Sequence, residues 1–251
     1  MYILIMNILE AFLLFNNHLI IIISGLPGCH KSSFAKKLAN EFNFYFINQS
    51  DYYKKDFNNI VSLPDGSTFN NYSTDDAIDW YKFNNDINNN KNKGVVISGF
   101  SFPSNLLKFE TNLHIHLGIT KSKCFESIES QLIKNNQNVV NEKLKFNKFV
   151  YPYYLSLKNR SSIDKFFFVD DIDYDNFYNI LWSYIIDYVN SFIIWFNQNK
   201  FDDWISNTDN KIKFDKLHKN NSIKNTSDSS INISSNKDNS IKDGPIVFEY
   251  Y

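Results

Sequence analysis

The sequence has almost no arginine: Arg160 stands alone in 251 residues, and the formal net charge is -1. Proteins that hold nucleic acid or an anionic membrane by charge carry a basic face. That balance excludes such partners and leaves small molecules as the expected ligands. Cysteine is nearly absent too, with Cys29 and Cys124 far apart in the chain. Neither a disulfide framework nor a zinc-type spacing is present, which fits a reducing cytoplasm. No repeat of 20 to 50 residues occurs, so a solenoid or propeller is excluded.

Clean apolar runs of membrane-spanning length are also missing. The opening stretch MYILIMNILEAFLLFNNHLIIII lacks a basic leading region and a small-residue cleavage site, and Glu10, Asn16, Asn17 and His18 interrupt it. It falls short of the roughly 20 apolar residues a span requires. Residues 1–16 therefore read as an added helix covering a sheet, with no membrane partner expected.

What is present fits one α/β domain, because 43% hydrophobic residues fill a core of ordinary size. Short apolar runs at residues 19–24, 44–48, 94–98, 113–119 and 166–169 read as strands buried on both faces. They alternate with helical patterns, so a three-layer α/β/α fold with a mostly parallel five-stranded sheet is expected. In KSSFAKKLANEF, Phe34, Leu38 and Phe42 recur every four residues and place one stripe against the sheet. STDDAIDWYKFNNDI reads as a helix after a long loop. Ser73 and Thr74 are its caps, Asp75 and Asp76 lie near its dipole, and Ala77, Ile78, Tyr81 and Ile87 are its apolar positions. Further helices are expected over 123–134, 149–159 and 175–195. Residues 207–242 are rich in Ser, Asn, Asp and Lys and read as disordered, while GPIVFEYY at the end is a docking strand or a peptide motif. The expected division is an extension at 1–16, a domain at 17–205 and a tail at 206–251.

The sharpest signal is SGLPGCHKSS, residues 24–33, directly after an apolar strand and at the start of an amphipathic helix. A phosphate-binding loop aims successive backbone N–H groups at phosphate, a lysine reaches the β and γ oxygens, and a serine or threonine helps hold magnesium. Gly25, Gly28, Lys31 and Ser32 fill those places, and Cys29, His30 and Ser33 complete the expected nucleotide-binding set. His30 replaces the glycine before the lysine, where a positive φ would be strained. Two readings follow: nucleotide binding with His30 as an added donor, or a loop that keeps the fold and binds poorly. Cys29 is either a thiol activated by the helix dipole or a small buried side chain.

Together with the loop, QSDYYKK after the second strand, NNYSTDDAIDW, VVISGFSF and FNKFVYPYYLSLKNR occur in an order that resembles the nicotinamide riboside kinases and the related uridine kinases, over residues 19–190. The resemblance implies a P-loop kinase fold, ATP and Mg2+ as cofactors, and transfer of the γ-phosphoryl group to a ribonucleoside 5′-hydroxyl. It implies Lys31 on the phosphates, Ser32 on magnesium, and a base after the second strand. Aligning Tyr52, Tyr53 and Lys54 puts Ser50 at that base; a one-residue loss puts Asp51 there, and Asp51 is the candidate. Tyr72 matches the tyrosine that packs on the substrate ring, with a core aromatic as the plain alternative.

The departures are systematic. Ser50, Ser73 and Ser98 stand where the family has acids, and the arginine-rich lid becomes KSKCFESIESQLIK, with Glu126 and Glu129. Lys121, Lys123, Lys134 and Arg160 are the available replacements, or else a solvated helix face. Other candidates are weaker: His114 and His116 share one strand face without a third metal ligand, and Asp170 and Asp171 follow the fifth strand as ligand groups or loop caps. Two functions are consistent with this pattern: a ribonucleoside kinase, or a catalytically degenerate relative that binds nucleotide or a protein partner.

Overall fold

Four successive isoleucines, Ile20 to Ile23, are fully buried because the strand they form is covered on both faces. That strand, β1 (Ile20–Gly25), lies at the centre of a sheet in a computed structural model that describes residues 2–135 and 138–227. Before it runs α1 (Tyr2–Asn16); after it come α2 (Lys31–Phe42), β2 (Tyr45–Asn48), and a hairpin of β3 (Ile60–Ser62) and β4 (Thr68–Asn70). Next are α3 (Trp80–Asn90), β5 (Val95–Gly99), β6 (Leu113–Gly118) and α4 (Lys121–Lys134). The chain continues through α5 (Val139–Lys145), a π-helical turn (Phe146–Val150), α6 (Tyr151–Lys158) and β7 (Lys165–Phe168). It ends, within the described residues, with α7 (Tyr174–Asn199), α8 (Phe201–Ser206) and α9 (Thr208–Ser227).

The five-stranded sheet has the order β2-β5-β1-β6-β7, and every ladder in it is parallel. Parallel neighbours need crossover connections, and these carry helices that cover both faces of the sheet. Phe34, Leu38 and Phe42 of α2 are buried, as their four-residue spacing requires. Phe34 stacks on Tyr174 at 4.4 Å, and Phe42 meets Trp182 at 4.6 Å. A second cluster joins Ile20, Ile22, Tyr52, Ile78, Phe83, Ile87, Ile97 and Phe102.

Three expectations change. Burial on both faces holds for β1, β5 and β6, but among the described residues β2 and β7 end the sheet and leave Tyr45, Phe166 and Phe168 exposed. The stretch read as a long loop contains the β3-β4 hairpin, closed by Pro64, Asp65 and Gly66, where Gly66 has φ +82° and Asp65 Oδ1 accepts from the Ser67 N–H at 3.0 Å. The helix expected from Ser73 is a short 3-10 turn at Asp75–Ala77, and α3 begins only at Trp80. A bridge between Tyr53 and Ile78 keeps the chain extended there. Asp79 is the cap, accepting from the Lys82 N–H at 3.0 Å, and Phe83 takes the buried place expected of Tyr81, which is 79% exposed.

The chain divides into two compact units inside α7, between Trp182 and Ser183. Residues 18–182 form the unit containing the sheet. In the other unit, α1 packs on the distal part of α7 and on α8 and α9. Phe12 lies 4.4 Å from Phe192, while Phe15 stacks on Phe196 at 4.5 Å and meets Trp204 edge-on at 5.1 Å. Phe214 joins this group, so residues 208–227, inside the stretch expected to be disordered, form a helix with an aromatic anchor. Residues 228–251, including the rest of that stretch and GPIVFEYY, lie outside the described residues. No helix among the described residues is long and apolar enough to cross a membrane.

Phe83 is fully buried between Tyr52, Trp80 and Phe102. Phe83→Ala should cost about 3–5 kcal/mol of unfolding free energy; a urea midpoint equal to that of the unaltered chain would contradict this packing.

Candidate functional site

The C-terminal ends of β1, β2, β5, β6 and β7 point to one edge of the sheet, the edge at which α/β folds bind ligands. The loop of residues 26–30 leaves β1 there and runs straight into α2, so the dipole of α2 is directed at it. Gly25 is required by proximity: a Cβ there would lie 2.4 Å from the Leu117 carbonyl oxygen and 2.7 Å from Cys29 Sγ. Gly28 has φ +85°, and a Cβ on it would come within 2.8 Å of the Ser127 Cβ on α4.

His30 adopts φ 58° and ψ 18°, the left-handed conformation in which an L residue is strained and which a glycine adopts freely. Its ring is exposed and sits edge-on to Tyr174 at 5.8 Å and Phe34 at 6.4 Å. Lys31, the first residue of α2, is only 7% exposed, and its Nζ donates to the Leu26 carbonyl at 3.5 Å. Ser32 is half-buried, and Ser33 is exposed. Cys29 is fully buried, and burial pushes its thiol pKa up despite the opposing charge of Lys31. It is therefore a packed thiol, not an activated one. Burial also pushes the Cys124 thiol up, to about 12.

Beside the loop, Ser98 at the end of β5 lies 3.2 Å from the Ser32 hydroxyl and 3.0 Å from Asn48 Oδ1. Asn48 ends β2, so three neutral oxygen donors meet where the resemblance expects a carboxylate. Gln49, which the sequence reading passed over, is buried and clamps two loops together. Its Nε2 donates to the Ser101 carbonyl at 2.9 Å, and its Oε1 accepts from the Phe100 N–H at 2.8 Å. The only prior signal was its place directly after a strand. In the same turn Ser50 is half-buried and Asp51 is exposed.

Tyr72 is half-buried, with its ring 5.6 Å from Tyr53 and 5.5 Å from Phe57. Nearby, the Thr74 hydroxyl oxygen is buried without a hydrogen-bond partner among the described residues. Asp75 does not serve a helix dipole. It accepts from both terminal nitrogens of Arg160, at 2.7 and 2.9 Å, and from the Tyr153 hydroxyl at 2.9 Å. Arg160 holds its carboxyl below the ordinary value.

The arginine is thereby committed to a carboxylate, and of the lysines Lys123 is as well. Lys123 pairs with Asp171 at 3.0 Å and Glu126 at 3.4 Å, Lys121 lies over the Tyr151 ring at 4.7 Å, and Lys134 is exposed. Asp170 caps a loop, its Oδ1 accepting from the Thr120 N–H at 2.8 Å.

His114 and His116 form no metal site, since no group of three potential ligands occurs among the described residues. They are joined through Ser24, the residue before Gly25. His114 Nδ1 lies 2.6 Å from the Ser162 carbonyl, an acceptor only, so that nitrogen carries the proton. In the neutral ring Nε2 then accepts, at 2.8 Å, from the Ser24 hydroxyl. The Ser24 oxygen accepts in turn from His116 Nδ1–H at 2.8 Å, and His116 Nε2 accepts from the Tyr154 hydroxyl at 2.7 Å. Every polar atom in this buried chain is satisfied in one direction.

No protein-family model and no curated protein matches the chain. Among solved structures, it is similar to a protein from Silicibacter sp. provisionally described as a fructose transport system kinase, at 10% identity and a TM-score of 0.43, covering 63% of this chain and 98% of that one. It is also similar to an uncharacterized protein from Eubacterium ventriosum, at 16% identity and a TM-score of 0.42, covering 66% and 98%. A third, from Chloroflexus aurantiacus and provisionally described as a kinase, has 11% identity and a TM-score of 0.38, covering 66% and 97%.

Burial lowers the His114 pKa to about 4 and the His116 pKa to about 3, with neighbouring His114, Lys158 and Lys31 adding to the latter. The unfolded chain, with histidines near 6.5, therefore binds more protons than the folded one between about pH 6.5 and 4. Stability present above pH 6.5 should fall by a few kcal/mol as the pH drops through this window. Urea denaturation from pH 7.5 to 4 measures it. A profile no steeper than that of a His114→Gln, His116→Gln double variant would contradict the neutral, buried chain.

Proposed function

We propose that this protein binds ATP with magnesium at the loop of residues 25–32 and phosphorylates the 5′-hydroxyl of a ribonucleoside. The observation that carries the reading is Lys31, sheltered at the first turn of α2 beneath a strand-loop-helix with two positionally required glycines. A buried ammonium whose one acceptor among the described residues is a carbonyl at 3.5 Å is suited to a stronger anionic acceptor. The N–H groups of the loop and of the first turn of α2 supply the remaining donors.

The donor set also fits magnesium. Ser32, Ser98 and Asn48 offer hard neutral oxygens, adequate for an ion held mainly by phosphate and water. Bound there, the ion would supply charge neutralisation for the transferred group. Acceptor binding falls to the turn of residues 49–52 and the Tyr72 segment. Asp51 is the proposed base for the hydroxyl proton, Tyr72 the proposed ring platform, and the unpartnered Thr74 hydroxyl a group that a substrate hydroxyl would satisfy.

A second reading, nucleotide binding without turnover, is favoured by the engagement of the chain's cations with carboxylates elsewhere. Arg160 is held by Asp75, and Lys123 by Asp171 and Glu126. Serines stand at 50, 73 and 98. Loss of one transition-state stabiliser costs about 100- to 1,000-fold in rate. Several such losses would leave no measurable product.

Incubation with ATP, magnesium and a panel of ribonucleosides, read by mass spectrometry, separates the two readings. The kinase reading expects a 5′-monophosphate from at least one nucleoside. It also expects loss of nucleotide affinity and product in Lys31→Ala, and a loss of about 100-fold or more in kcat in Asp51→Asn. Bound nucleotide without product establishes the second reading, and absence of nucleotide binding overturns both.

A further inference from the structure

Strand β1 reads Ile-Ile-Ile-Ile-Ser-Gly: four apolar residues fill its buried length, and the one hydroxyl enters at Ser24, where the chain is about to leave the sheet. Ser24 is the register partner of His116 on β6, and His114 lies two residues back on the same face. All three side chains are buried. Apolar groups of the same shape would fill this place without desolvating anything, and such replacements are often neutral or stabilising. Core filling alone does not call for a polar chain here.

A fully satisfied buried chain does what an apolar cluster does not: it specifies one arrangement. One end is fixed by the Ser162 carbonyl, which accepts from His114 Nδ1–H at 2.6 Å. The other is fixed by the Tyr154 hydroxyl, which donates to His116 Nε2 at 2.7 Å. Between them Ser24 Oγ is held 2.8 Å from each imidazole. The chain also lies close to the loop. Charge on Lys31 adds to the burial that keeps His116 neutral, and Cys29 is within electrostatic reach of Tyr154. Cys29 in turn packs against Gly25, where a Cβ would come within 2.7 Å of its sulfur.

We propose that His116 and Tyr154 are positioning residues for the loop of residues 26–30: they fix Ser24, and Ser24 fixes the point at which the loop departs from β1. This role takes its ligand from the proposed nucleotide site and rests on that reading, whereas the bracing of Ser24 is measurable without a ligand. Tyr153, beside Tyr154 on α6, donates to Asp75 at 2.9 Å. One helix thus braces both the exit of the loop and the segment proposed to bind the acceptor.

Tyr154→Phe keeps the ring and its place 5.5 Å from Phe100, and removes only the donor at the end of the chain. Tyr178→Phe, which loses a hydroxyl bond to Glu41 at 2.8 Å, sets the scale of a merely structural loss. Amide exchange of Gly25 and Cys29, followed by NMR without nucleotide, should be at least about tenfold faster in Tyr154→Phe and in Ser24→Ala than in Tyr178→Phe. ATP with magnesium should bind those two variants at least about fivefold more weakly than it binds Tyr178→Phe. His116→Asn, whose amide donates near the place of Nδ1, should bind nucleotide more tightly than His116→Leu. Loop exchange in Tyr154→Phe and Ser24→Ala no faster than in Tyr178→Phe overturns the inference, as does undiminished affinity where nucleotide binds. Faster loop exchange in a chain that binds no nucleotide supports the bracing and overturns the proposed nucleotide site instead.

Discussion

The rest of the structure depends on the burial of β1 between β5 and β6. A strand walled in by parallel neighbours and covered on both faces can release a polar loop only at its C-terminal end. The last residues of the flanking strands then surround that loop: Ser98 of β5 on one side, His116 and Leu117 of β6 on the other. Gly25 has to be glycine because the Leu117 carbonyl occupies the space of a side chain. Ser24 has to have its hydroxyl satisfied because it is fully buried, and the two imidazoles of β6 do this. The position of Lys31 follows from the same geometry, since α2 begins where the loop ends.

Electrostatically, the site is sparse. Lys31 is sheltered and the surrounding side chains at Ser32, Asn48 and Ser98 are neutral. The one arginine forms a fork with Asp75, linking the turn before α3 to the end of α6, where it serves architecture. An anion at the loop would thus be held chiefly by backbone N–H groups, the dipole of α2 and one ammonium. Such a set would bind phosphate while supplying few of the charges that stabilise its transfer, so binding could occur without turnover.

Much of this was legible in the sequence. The five parallel strands announced themselves as unbroken apolar runs, and α2 by Phe34, Leu38 and Phe42. The strand-loop-helix at residues 20–42 was visible because its glycines and lysine sit at fixed offsets after an apolar run. What escaped depended on neighbours distant in sequence. Two imidazoles at His114 and His116 signal a shared strand face, but their link to Ser24 exists only once β1 and β6 are paired. The bond from Arg160 to Asp75 likewise needs α6 folded against the turn before α3. The hairpin after β2 did carry a local signal, Pro64-Asp65-Gly66, outweighed by the short polar strands around it. The start of α3 was misplaced because Asp75 and Asp76 look as good as Asp79 in sequence, and only the Tyr53 to Ile78 bridge decides between them.

We propose that the loop after β1 is an anion cradle with His30 at the place of its last glycine. The most direct measurement is a titration of isotope-labelled protein with ATP and magnesium, following backbone amide resonances. Saturable shifts confined to Gly25, Gly28 through Ser33 and the neighbouring ends of β5 and β6, with the β3-β4 hairpin unmoved, are the predicted result. An unchanged loop at millimolar nucleotide, or shifts centred elsewhere, would contradict it.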